Sequence, residues 1–259
     1  NAAGFSSSPH LMFSGFDSKG EWFQLFQIGF GGIPGRPFGD GPDGHSLWPG
    51  FTNVPNEFLE RYFPMEIETY ETVPDSGGAG RFRGGNGIKM TYRFLESGTI
   101  SIHDDRWFIP PWGVNGGLPA LRSKKLLHTA DGKTIPLPSK CDGVKVSAGD
   151  RLDFITWGGG GWGDPLERDP ELVALEVRRA LVSVQGAQSY GVVVSKDGQL
   201  DSAATEALRA DMRAQRNELP LFNRGPDIET LRERCLAETG LPAPVPPVWR
   251  RTPQALAAE

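Results

Sequence analysis

Apolar and polar residues alternate along much of the chain up to about residue 157, and this two-residue period predicts a series of short, half-buried strands. Glu21 to Ile28 is strand-like and aromatic-rich and follows the turn Asp17-Ser18-Lys19-Gly20, so residues 1–35 read as β-hairpin material. Asn56 to Tyr62 predicts a short helix, ended by Pro64. Further strands are predicted over Met65–Tyr70, Ile88–Leu95, Thr99–His103, Lys124–Thr129, Thr134–Leu137, Gly143–Val146 and Arg151–Trp157. The turns Glu96-Ser97-Gly98, Asp131-Gly132 and Gly149-Asp150 separate several of them. Long loops rich in glycine and proline fill 29–55, 74–87 and 104–120, and loops of that length inside a compact domain are usually functional or packed on a partner.

The pattern changes at Asp164-Pro165. Asp169-Pro170-Glu171 is a helix start, with Asp as N-cap and Pro at the first helical position, and an apolar face continues to about Leu181. Tyr190 to Val194 predicts a short strand, Ser202 to Asn217 a helix, and Asp227 to Thr239 another helix closed by Gly240. The expected class is α+β: a β-rich body with long glycine-rich loops over 1–165, then a small C-terminal helical region over 166–245, and an extended tail over 246–259.

Composition sharpens this in three ways. The 34 glycines and 22 prolines have no repeat period and are interleaved with Trp, Phe and Ile, which points to tight turns rather than disorder. A net charge of -5 argues against a nucleic-acid surface, which needs basic patches. No apolar run reaches the roughly 18 residues of a membrane span, no leader-like start is visible, and Cys141 and Cys235 read as two free buried thiols, so a cytoplasmic protein is expected. The first residue is Asn1, not Met, so a fragment, a processed chain or one piece of a longer polypeptide is expected.

Four segments carry candidate chemistry. Gly158, Gly160 and Gly163 form a G-x-G-x-x-G after a strand, but the next helix starts only near Asp169. Close backbone approach, to a neighbouring strand or a partner, is the competing reading. In Asp75 to Gly87, six glycines with Arg81 and Arg83 can make an anion pocket from backbone N–H groups and guanidinium forks. The alternative is a tight loop whose arginines bind carbonyls and Asp75. In His103-Asp104-Asp105-Arg106, alternation along a strand allows His103 to meet Asp105, or Asp104 to meet Arg106, as an acid–base pair or as a structural salt-bridge cluster. Asp40, Asp43 and His45 stand at loosely metal-like spacing. No G-x-S-x-G, H-E-x-x-H or Cys/His nucleophile pattern is present.

The ordered string of motifs is more telling than any one of them: Gly29-Phe30-Gly31-Gly32, Asn53-Val54-Pro55-Asn56-Glu57, Pro74 to Gly87, Asp105-Arg106, Pro111-Trp112-Gly113, Ser139-Lys140, Gly158 to Pro165 and Arg168-Asp169-Pro170. This resembles the second half of a hydantoinase B / oxoprolinase-type subunit, from about 25 to 195. The resemblance implies a cyclic amide hydrolase acting on a hydantoin, lactam or 5-oxoproline-like ring. It also implies ATP and Mg2+ held by an A-type partner subunit. Acetone- and acetophenone-type ketone carboxylases are relatives, so carboxylation is the alternative, and a purely structural subunit is another. B-type subunits are about twice as long, and the half that supplies metal ligands in the carboxylases is not matched here. A chain or segment carrying that half, with any divalent metal ion, is therefore an expected partner. On this reading Asp75, Arg81, Arg83, His103, Asp105 and Arg106 are the catalytic candidates, and Gly78, Gly80, Asn86 and Trp112 the substrate-binding ones. Trp48, Trp107, Trp112 and Trp162 can line an apolar pocket or simply pack the core.

Overall fold

The computed structural model describes residues 2–4, 9–46, 50, 52–216 and 218–245. Trp48 and the predicted tail over 246–259 lie outside the described residues. The body is built from two antiparallel sheets. The strands in chain order are β1 (His10–Phe16), β2 (Trp22–Ile28), β3 (Met65–Thr72), β4 (Ile88–Phe94), β5 (Gly98–His103), β6 (Gly113–Val114), β7 (Lys124–His128), β8 (Thr134–Pro136), β9 (Lys140–Val146) and β10 (Arg151–Ile155). One sheet runs β2-β1-β5-β9 and the other β3-β4-β10-β7-β8. A helix, α1 (Asn56–Tyr62), precedes β3 with the bounds its sequence predicts, and its Leu59 is buried.

The inward residues of both sheets form one core. Leu11, Phe13, Leu25, Ile100 and Ile102 come from the first sheet, and Met90, Tyr92, Phe94, Leu152 and Phe154 from the second. Alternation along β1 places Leu11 and Phe13 inside and His10, Met12 and Ser14 outside, as a half-buried antiparallel strand requires.

After β10 the chain enters a different structure. Gly158 to Gly161 run extended through the middle of the glycine loops. A Cβ added at Gly158 would lie 1.9 Å from the Ser76 carbonyl oxygen, at Gly159 2.1 Å from Ile33 O, at Gly160 2.0 Å from Trp112 O, and at Gly161 2.1 Å from Ala79 O. The first and fourth residues thus face the same neighbouring segment, which is the three-residue period of a polyproline II chain. Their N–H groups donate to Leu121 O, Gly85 O, Ala3 O and Leu118 O at 3.3, 2.8, 2.7 and 3.0 Å. The central chain therefore has backbone against it on every side, and only glycine fits.

The helical end begins with a 3-10 turn over Pro165–Glu167 and α2 (Pro170–Arg178), where the Asp169 carboxylate accepts from Glu171 N as the predicted N-cap. Val173, Ala174, Val182, Ala187, Tyr190 and Val192 form a second core that also takes in Ala79 of the glycine loop. The expected strand at 190–194 is not formed. A 3-10 turn over Gly186–Tyr190 ends on left-handed Gly191, and Val194 makes one isolated bridge to Leu200. The apolar alternation there points residues into the second core, but no strand lies alongside to pair with them. Likewise α2 stops at Arg178 rather than near Leu181, because Ala180 turns left-handed (φ 54). Helix α3 (Ser202–Gln215), strand β11 (Phe222–Asn223, paired with β6) and α4 (Ile228–Thr239, capped by Gly240 at φ 66) are the remaining elements among the described residues.

Candidate functional site

The first cluster of candidates, in loop 75–87, is built into the scaffold. Arg83 is 4 % exposed. Its Nε donates to Glu176 Oε1 at 2.9 Å, and its two terminal nitrogens donate to Asp43 at 2.7 and 3.2 Å. Arg168, 1 % exposed, donates to both Asp40 oxygens at 2.7 Å and to Glu176 at 2.8 Å. Two guanidiniums and three carboxylates thereby clamp loop 29–46, loop 75–87 and α2 together. Burial pushes the Asp40 carboxyl up, but the Arg168 and Arg83 contacts outweigh it and hold it below its ordinary value. Asp40 and Asp43 are thus arginine partners, and His45 bridges to Gly31 through the backbone. Among the described residues, no group of three or more His, Cys, Asp or Glu is placed to hold a metal ion.

Asp75 does not meet the loop arginines. It sits left-handed (φ 60) and its Oδ1 accepts from Ser183 N at 2.8 Å. Asn86 is fully buried, donates to Leu181 O at 2.8 Å and accepts from Gly77 N at 2.9 Å. Asp75, Arg83 and Asn86 do share a small cavity of about 100 Å³ closed by Tyr190. Gly78 and Gly80 lie buried in the glycine bundle. Arg81 differs: it is exposed, 3.7 Å from Glu167, with its guanidinium over the Phe82 ring. The G-x-G-x-x-G N–H groups of Gly158, Gly160 and Gly163 donate to protein carbonyls, so they do not offer a phosphate cradle.

The second cluster surrounds open space. A cleft of about 730 Å³ lies between loop 105–109, residues 138–140 and residues 241–244. Its walls are mostly apolar (Phe108, Ile109, Pro138, Leu241, Pro242), with Asp105, Arg106 and Lys140 supplying charge. Lys140 Nζ donates to Asp105 Oδ1 at 2.8 Å and to the Asp104 carbonyl at 3.1 Å. Arg106 is left-handed (φ 57), its Nε donates to Gly4 O at 3.2 Å and its guanidinium lies 5.1 Å above the Trp112 ring centre. Burial lowers the Arg106 pKa and Asp105 opposes that. Trp107 is buried beneath the loop, and Trp162 packs on Phe82 with ring centres 5.8 Å apart.

Asp104 does not pair with Arg106 but points inward. Its Oδ2 accepts from Lys125 Nζ at 2.6 Å, with both side chains fully buried. Lys125 also donates to Ile155 O at 2.9 Å and lies 4.2 Å from the Phe154 ring centre. Ser123 ties the same loop down, donating from Oγ to Asp105 O and from N to Arg106 O at 2.9 and 3.1 Å. Loop 104–106 is thus held from below by an ion pair and from above by Lys140.

Lys140 also borders a shallower groove with His10, Ser101, His103, Cys141 and Asp142. The His10 and His103 rings stack at 5.0 Å. Cys141 is half-buried rather than buried, and Cys235 is buried; both thiols are free. Burial pushes the Cys141 thiol up, away from nucleophilic thiolate character. Lys125, Lys140, Arg168 and Glu176 were not among the sequence candidates. A period-two signal exists for Lys125 alone, since it shares a strand face with buried Leu127.

Three comparisons bear on this geometry. The family model for hydantoinase B/oxoprolinase matches residues 1–165. The chain is similar to the B component of a putative D-/L-hydantoinase of a Pseudomonas species, 28% identical over 80% of this chain and 36% of that protein. It is 38% identical to the beta chain of the caprolactamase of Pseudomonas jessenii, over 60% of this chain and 27% of that one. The crystal structure of that organism's ATP-dependent caprolactamase superposes with a TM-score of 0.64, 28% identity, covering 81% of this chain and 38% of that chain. A nucleotide-free acetone carboxylase structure shares the fold at a TM-score of 0.66 and 22% identity, over 89% of this chain and 36% of that one. The chain therefore spans well under half the length of the relatives it matches.

Proposed function

Because the chain belongs to the hydantoinase B/oxoprolinase family, we propose that it is the C-terminal part of a B-type subunit of an ATP-dependent cyclic amide hydrolase. Its substrate would be a hydantoin, lactam or 5-oxoproline-like ring, and its partners an ATP-binding A-type subunit and the rest of the B-type polypeptide. The observation that carries this reading is the superposition on an ATP-dependent caprolactamase across 81% of the chain. ATP with Mg2+ belongs to the A-type partner. The glycine-loop amides here are engaged with carbonyls, and among the described residues no group of three or more His, Cys, Asp or Glu is placed to hold a metal ion, which supports placing both with the partner.

This chain contributes the cleft. Its apolar walls suit a small ring, and Arg106 and Lys140 line it with positive charge that would stabilise an amide oxygen as it gains negative charge during ring opening. Asp105 orients Lys140, and His103 and Trp112 flank the site. Asp75, Arg83, Asn86, Gly78 and Gly80 serve the glycine-loop scaffold, and Arg81, exposed beside Glu167, can turn toward a substrate or partner. The same apolar walls suit a ketone, and so favour a carboxylase as the second reading.

Lys140→Met in the complete complex is the test. Removing one charge-stabilising donor typically costs on the order of 10²-fold in kcat. The expected result is a folded complex whose ATP-dependent ring opening falls by about that factor. Unchanged turnover removes the cleft from the chemistry and favours a purely structural subunit. Arg81→Ala, at an exposed position, keeps the fold, and its turnover decides whether Arg81 belongs to the site. Assaying hydantoin, lactam and oxoproline rings beside ketones with bicarbonate separates hydrolysis from carboxylation.

A further inference from the structure

The outer face of the first sheet is divided. On β5 and β9 it is polar: Lys145 Nζ donates to Thr99 Oγ1 at 2.9 Å, and Ser101 bonds to Asp142. On β1 and β2 it carries exposed aromatics on either side of the polar Ser14–Gln24 pair. Phe16, Trp22 and Phe26 are 62%, 60% and 52% exposed. Phe16 packs edge-on against Trp22 at 5.3 Å, and Phe26 lies 4.8 Å from the His10 ring. A sheet face that meets water normally carries polar residues, whereas exposed aromatics gathered on one face, here in two groups either side of the Ser14–Gln24 pair, are the composition of a protein interface.

The edge beside that stripe is open too. Strand β2 is the edge of its sheet, and among the described residues it pairs only with β1. Its seven residues, Trp22 to Ile28, include no charge and no proline. Natural edge strands are normally guarded by lysines, prolines, bulges or covering segments. An unguarded edge with Trp22 and Phe26 on its outer face is the surface that β-strand addition uses: main-chain hydrogen bonds extend the sheet while alternate side chains are covered.

We propose that β2 and the Phe16–Trp22–Phe26 stripe are the docking surface for the remaining polypeptide of the B-type subunit, which adds a strand to this edge. The occupant follows from length, since this chain covers only 36% and 38% of the two solved relatives. The stripe continues through His10 and His103 into the groove beside Lys140, so the docked polypeptide closes over the cleft from that side. This rests on the functional reading above.

Hydroxyl-radical footprinting and hydrogen exchange on the native complex test it, whether the remainder is a separate chain or continuous with this one. Phe38, 78% exposed, is the reference. Trp22 and Phe26 should be labelled about tenfold less than Phe38, and the β2 amides facing away from β1 should exchange as slowly as those facing it. If Trp22 is labelled like Phe38 in a complex active with ATP, the docking surface is wrong while the functional reading stands. If no ATP-dependent activity and no further polypeptide are found, the functional reading fails and the proposal with it. Protection seen in an assembly of this chain alone would overturn the proposal in favour of self-association.

Discussion

Lys125→Met isolates the contribution of the buried pair beneath the cleft. Lys125 Nζ and Asp104 Oδ2 are 2.6 Å apart and both side chains have no exposure. At an effective dielectric near 20, that separation corresponds to a gross attraction of about 6 kcal/mol. Most of it only offsets the desolvation of two ions, several kcal/mol each. Replacing both partners with apolar groups should therefore change stability little, whereas removing one leaves a buried charge without a counter-ion. Asp104 is badly placed to tolerate this, because its Oδ1 already lacks a hydrogen-bond partner. Lys125→Met is expected to destabilise by about 3–5 kcal/mol, a fall in Tm of roughly 6–20 °C for a chain of this size. The double variant Lys125→Met with Asp104→Leu should recover to within about 1 kcal/mol of the parent. Thermal unfolding of the four proteins of this cycle measures both. A single-variant loss under about 1 kcal/mol, or a double variant no better than the worse single, refutes the reasoning.

Two further outcomes follow from other parts of the fold. Gly159→Ala places a Cβ 2.1 Å from Ile33 O, with backbone rather than a movable side chain in the way; a loss of about 3 kcal/mol or more is expected, against about 1–2 kcal/mol for Gly132→Ala, which meets only backbone strain at φ 89, and comparable Tm values for the two would remove the bundle as the cause. Burial raises the Asp164 carboxyl, but Arg216 and the Leu166 N–H outweigh it and leave it below 3.8. The folded state therefore holds that proton more weakly than the unfolded state. The stabilisation is complete above the ordinary carboxylate range and is lost as pH falls through the lowered value. Urea midpoints should decline below about pH 4, less steeply for Asp164→Asn, and an equal slope for the variant would contradict this.

The legible parts of the fold were those governed by local spacing. Alternation located most strands of the body, and the Asp169-Pro170 and Gly240 signals located the ends of α2 and α4. The strand expected at Tyr190–Val194 shows the limit, because alternation reports which way residues face and not whether a neighbour exists to pair with. The site was legible only in part. Asp105 and Arg106 could be singled out, but the inward turn of Asp104 toward Lys125 depends on a strand further along the chain. Arg83 is legible as a loop arginine, yet its partners Asp43 and Glu176 come from segments that nothing local connects to it. The Gly158–Gly163 run resembled a nucleotide loop because both uses need bare backbone, and the hydrogen bonds that distinguish them come from remote carbonyls.

That glycine bundle has a consequence for how the chain reaches its native state. A polyproline-type chain has no hydrogen bonds within itself, and its partners here stretch from Ala3 to Leu121. No pair of neighbouring segments can form it early, and every loop must close before the central chain gains its contacts. The two sheets can collapse first on local hairpins such as β1–β2 and β7–β8. The glycine run is then expected to close last, as a latch that joins the sandwich to the helical end. Until it closes, residues 158–163 are the stretch most open to protease, so pulse proteolysis during refolding should cut there longest.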